Sequence, residues 1–324
     1  MPDQVRHDGV CEVGFVTTSK FKECNMNPTI WQGRDRLILD GSMGLSLKSK
    51  GVEVPTDIWS AHALMAAPDV VRELHADYIR AGADIITTNN YSCTPYYLKR
   101  RGIEDRMEEL TTLSTRLARE AVEQSGSNTL IAGALPPLGG SYDPGDVQDA
   151  ATSNPINRRI AKALTDDIDL VICETMSSIA EARMTAEAAA ETGNPVWLAL
   201  TLTDDDSATL RSGETLADTV AAMKGLEIDA WLFNCCTPDA ITAGIKTLKT
   251  LTDSPIGAYA NAFNPVPEGW TLEEGGITYD EILGVDAYET HAKAWQDLGA
   301  SIIGGCCGIG PDHIHRVSGM AAQE

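Results

Sequence analysis

The chain has 324 residues, 43% of them hydrophobic and 22% charged, which is the make-up of a folded globular protein and not of a disordered one. Its 25 Lys and Arg face 47 Asp and Glu, a formal charge of −22 that disfavours nucleic acid and anionic membranes as partners. That field suits neutral or cationic small molecules, or serves solubility alone, and it leaves a homo-oligomer open.

The opening MPDQVRHDGVCEVG lacks a basic start followed by an apolar stretch, and no apolar run approaches the ~20 residues of a membrane span. A cytoplasmic location is the expectation. Residues 1–34 hold no sustained period and include Asn, Pro and Gly breakers, so they read as a short N-terminal extension. Cys11 and Cys24 lie there without an assigned role.

From Arg36 onward, short apolar runs alternate with amphipathic stretches of helical period, the pattern of βα units around a parallel sheet. The expected strands are 36–39, 84–88, 129–135, 169–174, 196–202, 229–235, 255–261 and 301–305, with helices between them such as 69–82, 106–126, 178–193 and 287–300. Several of these helices end at Gly, a common C-terminal signal. Eight such units without a visible second domain fit a closed α/β (βα)8 barrel over 35–324 better than an open doubly wound sheet. Longer connections near 139–155 and 262–285 have the length of lids or contact surfaces.

In a parallel barrel, chemistry sits where strands end and βα loops begin. There the sequence puts Asp40 after strand one, Asn89, Asn90 and Tyr91 after strand two, and Glu174 and Thr175 after strand four. Asn234 and Cys235 follow strand six, and Cys306 and Cys307 follow strand eight. A single strand-end cysteine reads as a small buried core residue. A glycine-flanked pair joined by a third cysteine at another strand end reads instead as a metal site, because three thiolates with one open position describe catalytic zinc. Adjacent cysteines point to opposite sides of a strand, so the backbone has to turn at Cys306 and Cys307, and Gly304, Gly305 and Gly308 offer that freedom. Asp40 and Glu174 read equally as rim ion pairs, helix caps or substrate contacts. His62, His75, His291, His313 and His315 fall on helical stretches and read as surface or packing residues. None of the eight strands carries a Lys, which argues against a Schiff-base aldolase, and no dinucleotide, P-loop or serine-nucleophile motif is present.

The runs LDGSMG (39–44), AGADIITTNNY (81–91), CETMSSIAEA (173–182), FNCCTP (233–238) and GASIIGGCCGIGPDHI (299–314) together resemble the homocysteine S-methyltransferases, the zinc-thiolate family related to betaine–homocysteine methyltransferase. The resemblance spans about 36 to 315 and implies a (βα)8 barrel. It implies Zn2+ held by Cys235, Cys306 and Cys307, with Cys236 a bystander. It implies Glu174 on the substrate amino group and Asp40 at the amino acid pocket, and Asn89 and Tyr91 are further candidates for substrate contact. The implied reaction moves a methyl group from a sulfonium or quaternary ammonium donor, such as S-methylmethionine, S-adenosylmethionine or betaine, to homocysteine, giving methionine. Aromatic faces attract such cations, with Tyr91 the first candidate and Trp270 and Tyr259 behind it. The third-strand loop GALPPLGGSYDP (133–144) departs from the family's usual Gly-Ser-Leu-Gly-Pro. A non-catalytic zinc- or thiol-binding barrel and methyl transfer to another thiol are the alternative readings.

Overall fold

Residues of period two alternate between two apolar environments in the computed structural model, which describes residues 27–164, 167–262 and 283–320. The eight strands are β1 (Leu37–Ile38), β2 (Ile85–Thr87), β3 (Leu130–Leu135), β4 (Leu170–Met176), β5 (Val196–Leu200), β6 (Ala230–Asn234), β7 (Ile256–Tyr259) and β8 (Ile302–Ile303). The helices are α1 (Pro28–Trp31), α2 (Met43–Ser49), α3 (Ala61–Ala66), α4 (Pro68–Arg80), α5 (Pro95–Leu98) and α6 (Met107–Ser125), followed by α7 (Ala150–Leu164), α8 (Ile179–Ala190), α9 (Leu216–Ala222), α10 (Pro238–Leu248), α11 (Val285–Asp297) and α12 (Pro311–Ser318). Each expected strand is present within its expected bounds, except that β4 runs two residues further, to Met176.

All the strand pairs are parallel, in the order β1-β8-β7-β6-β5-β4-β3-β2. At the β1–β2 seam a single bridge, Leu39 to Ile85, is flanked by hydrogen bonds from Asp84 N to Ile38 O (2.8 Å) and Asp40 N to Ile85 O (3.0 Å). The result is a nearly closed eight-stranded barrel ringed by helices, as the alternation predicted.

One set of strand residues, including Leu37, Ile85, Leu130, Leu170, Trp197, Leu232 and Ile302, fills the barrel interior. The alternate set, including Ile38, Ile86, Val171, Leu198, Phe233 and Ile303, packs outward on the helices. Ile30 and Trp31 of α1 join the interior cluster. Because α1 immediately precedes β1, it plugs the amino-terminal end of the strands, so the extension's last residues belong physically to the barrel.

Three aspartates stitch that same end. Asp84, Asp169 and Asp229, each just before an even-numbered strand, accept the backbone amides of Ile38, Ile131 and Val196 on the preceding odd strand at 2.8–2.9 Å. These amides begin short parallel pairings and have no other ladder partner, so the carboxylates satisfy groups that would otherwise be costly to bury.

The stretch 139–155 is not one long connection. A 3-10 turn at Pro144–Asp146 leads into α7 at Ala150, with Pro155 inside the helix. Pro155 falls in the second turn on an exposed segment, where losing one backbone hydrogen bond is tolerated. Of the other long connection, residues 263–282 lie outside the described residues. Among the described residues no helix is long and apolar enough to cross a membrane.

Candidate active site

At the carboxyl end of the strands the backbone departs from regular structure in places that aim side chains inward. In β4 the pairing with β5 slips between Cys173 and Met176, so two residues, Glu174 and Thr175, stand against one. This bulge puts Thr175 at φ 63, and Cys235 after β6 takes φ 53. Positive φ at non-glycine residues is costly and marks places where the surroundings fix the chain. Asn234 links the two. Its Nδ2 donates to Thr175 Oγ1 at 2.8 Å and its Oδ1 accepts from Thr175 N at 3.2 Å, a bond pair that crosses over β5.

The β1 and β8 loops are knitted in the same way. Gly305 N donates to Asp40 O at 2.9 Å, Ser42 N to Ile309 O at 2.8 Å, and the buried Tyr78 hydroxyl to Ser42 O at 2.7 Å. The glycines of the Gly-Gly-Cys-Cys-Gly run serve two purposes. Only Gly308 has the left-handed φ, at +87°, that turns the chain after Cys307. Gly305 is required for space, since a Cβ there would lie 2.1 Å from Ile309 Cγ2. The sequence reading of all three as sources of backbone freedom thus holds for Gly308 alone.

Cys235, Cys306 and Cys307 meet with their sulfurs all within 4.8 Å of one another, and Cys235 Sγ lies 2.7 Å from Cys306 Sγ. A tetrahedral zinc with Zn–S bonds of ~2.3 Å spaces its sulfurs by ~3.8 Å, so the cluster is the right size for one ion and leaves the cavity side open. The donor chemistry fits too. Hydrogen bonds from Cys235 and Cys306 hold the Cys307 thiol well below the ordinary range. Those to Cys235 and Cys307, with burial, push Cys306 well above it. Three thiolates this close repel one another, and a divalent ion between them is what would allow all three to ionise. Cys236 is fully buried in the outer apolar core and is not part of the cluster.

The sulfurs line one end of a cavity shared by Asp40, Glu174, Asn89 and Tyr91, so these four substrate-contact candidates from the sequence come to one place. Asp40 is 4% exposed, and burial pushes its carboxyl up to about 7 although Oδ2 accepts the Thr87 amide at 2.8 Å. Glu174 is pushed up to about 8, first by desolvation and then by the negative charge of Cys235 and Asp40. Two carboxyls whose pKa burial raises in this way hold protons that an entering cationic group would displace. Asn89 Nδ2 donates to Ser60 O at 3.3 Å, and the Tyr91 hydroxyl pairs with Ser141 Oγ at 2.7 Å. Asn90 turns away, sharing a bond with Thr88 Oγ1 and donating to Ala134 O, and does not line the cavity. Tyr259 does line it, and Trp270 lies outside the described residues.

The cavity wall holds aromatic residues that the sequence did not single out. Trp59 sits at φ 47 with its indole Nε1 buried and without a hydrogen-bond partner among the described residues. Tyr142, at φ 72, comes from the third-strand loop that departs from the family pattern. A lone aromatic in a loop carries no periodic signal, and only the loop's unusual sequence could have drawn attention to Tyr142. Among the described residues no histidine lines the cavity, and His75 is fully buried in the helical layer with both ring nitrogens unpartnered.

Comparison with known proteins agrees with this geometry. The family model described as homocysteine S-methyltransferase matches residues 37–321. Homocysteine S-methyltransferase of Escherichia coli (strain K12) is 32% identical over 303 residues, covering 87% of this chain and 94% of that protein. A selenocysteine methyltransferase of Astragalus bisulcatus is 29% identical over 315 residues, covering 86% and 90%. Among solved structures, the metallated form of the homocysteine methyltransferase MmuM from Escherichia coli superposes with a TM-score of 0.76 at 30% identity, covering 90% of this chain and 99% of that one. The chain belongs to the homocysteine S-methyltransferase family and is an enzyme of the methyltransferase class.

Proposed function

We propose that the protein transfers a methyl group from a sulfonium or quaternary ammonium donor to the thiol of homocysteine, giving methionine, with zinc held by Cys235, Cys306 and Cys307. The observation that carries this reading is the convergence of three thiols at the end of a cavity that also contains two buried carboxyls with raised pKa. Zinc in such a site supplies Lewis acidity that lowers the pKa of a substrate thiol, so that the nucleophilic thiolate is available at neutral pH.

The chain's own residues do the rest. Glu174 and Asp40 take the ammonium of the amino acid, each giving up a proton as the cation arrives. Trp59, with its unpartnered indole N–H, offers a donor to an anionic end of a substrate. Tyr91, Tyr142 and Tyr259 present aromatic surface to a cationic donor. In the methyl-transfer step the new S–C bond forms as the donor's C–S or C–N bond breaks, and the electron pair leaves with the donor as a neutral thioether or amine. No proton moves in that step, so no residue need act as acid or base.

The test is zinc content followed by methyl transfer, with homocysteine and selenocysteine as acceptors and S-methylmethionine, S-adenosylmethionine and betaine as donors. About one zinc per chain is expected, lost in Cys306→Ala and Cys307→Ala and kept in Cys236→Ala. Methionine should form from homocysteine with at least one donor. Full zinc occupancy in both cysteine variants, or zinc without turnover by any donor, would contradict the proposal, and the second result would favour a non-catalytic metal-binding barrel.

A further inference from the structure

Cys235 holds a left-handed backbone, φ 53, that is costly for a non-glycine residue and persists only where its neighbours fix it. The neighbour that does so is Arg211, on the connection between β5 and α9 and far from every strand-end motif. Arg211 Nη2 donates to the Cys235 carbonyl at 3.3 Å, and Nε donates to Thr201 Oγ1 at 3.1 Å, which itself donates to the same carbonyl at 3.2 Å. Nη2 also pairs with Asp204 Oδ2 at 3.0 Å, with the two side chains only 11% and 9% exposed. The second Asp204 oxygen accepts the Thr237 amide at 2.9 Å. One ion pair therefore grips the chain on both sides of Cys235–Cys236, at the carbonyl of 235 and the amide of 237.

The flat face of the guanidinium is also in use. It lies 4.7 Å from the ring centroid of Tyr142, which lines the same cavity as Cys235. Arg211 thus reaches Cys235 through the backbone carbonyl, directly and by way of Thr201.

We propose that Arg211 is a positioning residue of the metal site, fixing the Cys235 turn, and with it the ligand, through the Cys235 carbonyl. The proposal rests on the reading that Cys235, Cys306 and Cys307 hold zinc. Its chemistry is that of a preformed ligand, since partners behind a metal ligand set its orientation, and losing one typically costs 10- to 100-fold in metal affinity. Lysine cannot replace the residue fully. It can neutralise Asp204, but it lacks the planar fork that reaches Thr201 and the carbonyl together and that stacks on a ring.

The experiment measures the zinc dissociation constant of the full chain by competition with a chromophoric chelator, for wild type, Arg211→Lys and Arg211→Met. Thermal unfolding of each zinc-free protein is followed alongside. The expected result is a 10- to 100-fold weaker zinc affinity in Arg211→Met and a smaller loss in Arg211→Lys. A residue serving the fold alone would lower the unfolding temperature and leave the zinc affinity of the folded protein unchanged, and that result overturns the proposal. Should Arg211→Met fail to fold, Arg211→Lys, which keeps the ion pair, decides the matter, with wild-type affinity again overturning it. A wild-type chain that takes up no zinc overturns the metal reading and this one with it, whereas tight wild-type binding with unaffected variants overturns this one alone.

Discussion

The two ends of the barrel are built from the same strands and treat buried polar groups in opposite ways. At the amino end, Asp84, Asp169 and Asp229 each bond a neighbouring strand's amide, and α1 closes the interior with Ile30 and Trp31. At the carboxyl end, Asp40 and Glu174 are desolvated, the Trp59 indole N–H meets no hydrogen-bond partner among the described residues, and Trp59, Tyr142, Thr175 and Cys235 take positive φ. The first arrangement spends its polar groups on strand pairing. The second leaves them unspent, and a ligand is what would complete them. The comparison assigns stability to one end and binding to the other, and each side can be tested.

The largest expected effect tests the stabilising end. Trp31→Ala removes a side chain that is 4% exposed and packed in the interior cluster, so it should cost about 3–5 kcal/mol in denaturant unfolding. The folded variant should keep wild-type zinc and homocysteine affinities. If those affinities fell with stability, the two ends would not be separable.

Glu174→Ala tests the other end. It removes the proposed partner of the substrate ammonium, a charge-assisted hydrogen bond worth ~1.5–3 kcal/mol, and should weaken homocysteine binding by that amount while leaving zinc binding nearly unaltered. Unchanged homocysteine affinity in a titration would remove Glu174 from the site.

A smaller effect sharpens the account through pH. Burial raises Glu181 to about 7, although its Oε2 accepts both the amide and the hydroxyl of Ser177 at 2.8 Å. Asp40 is likewise raised to about 7. Unfolded, both would titrate near ~4, so between there and about pH 7 the folded state binds more protons than the unfolded. Their contribution is therefore complete below about pH 4 and is lost as pH rises through 7. The ligand-free protein's Tm should fall between pH 5 and 8, and Glu181→Gln, which stays neutral, should flatten that fall. An equally steep curve for the variant would contradict the raised pKa.

These contrasts also explain what the sequence could disclose. The period-two strands and the helices between them record which face is buried, so eight βα units were legible. Cys235, Cys306, Cys307, Asp40 and Glu174 were legible because they sit at strand ends inside recognisable motifs. Tyr142, Trp59 and Arg211 were not. They lie in loops, where no period announces burial, and their relevance depends on contacts across the barrel mouth. Asp84, Asp169 and Asp229 stand plainly before their strands in the sequence. Their role depends on the neighbouring strand's register, which appears only once the barrel closes.

The central claim is that the three cysteines hold a zinc that makes the acceptor thiol ionise, and calorimetry of homocysteine binding at pH 7 in buffers of different ionisation enthalpy tests it most directly. The raised carboxyls of Glu174 and Asp40 mean that any amino acid ammonium will displace protons, so methionine, which has no thiol proton, is expected to show release as well and serves as the reference. The zinc-loaded protein should release about one proton more with homocysteine than with methionine, since a free thiol with pKa ~8.5 is mostly protonated at pH 7. That difference should vanish in the zinc-depleted protein. Equal release for the two ligands in the zinc-loaded protein would contradict the account even if zinc were bound at Cys235, Cys306 and Cys307.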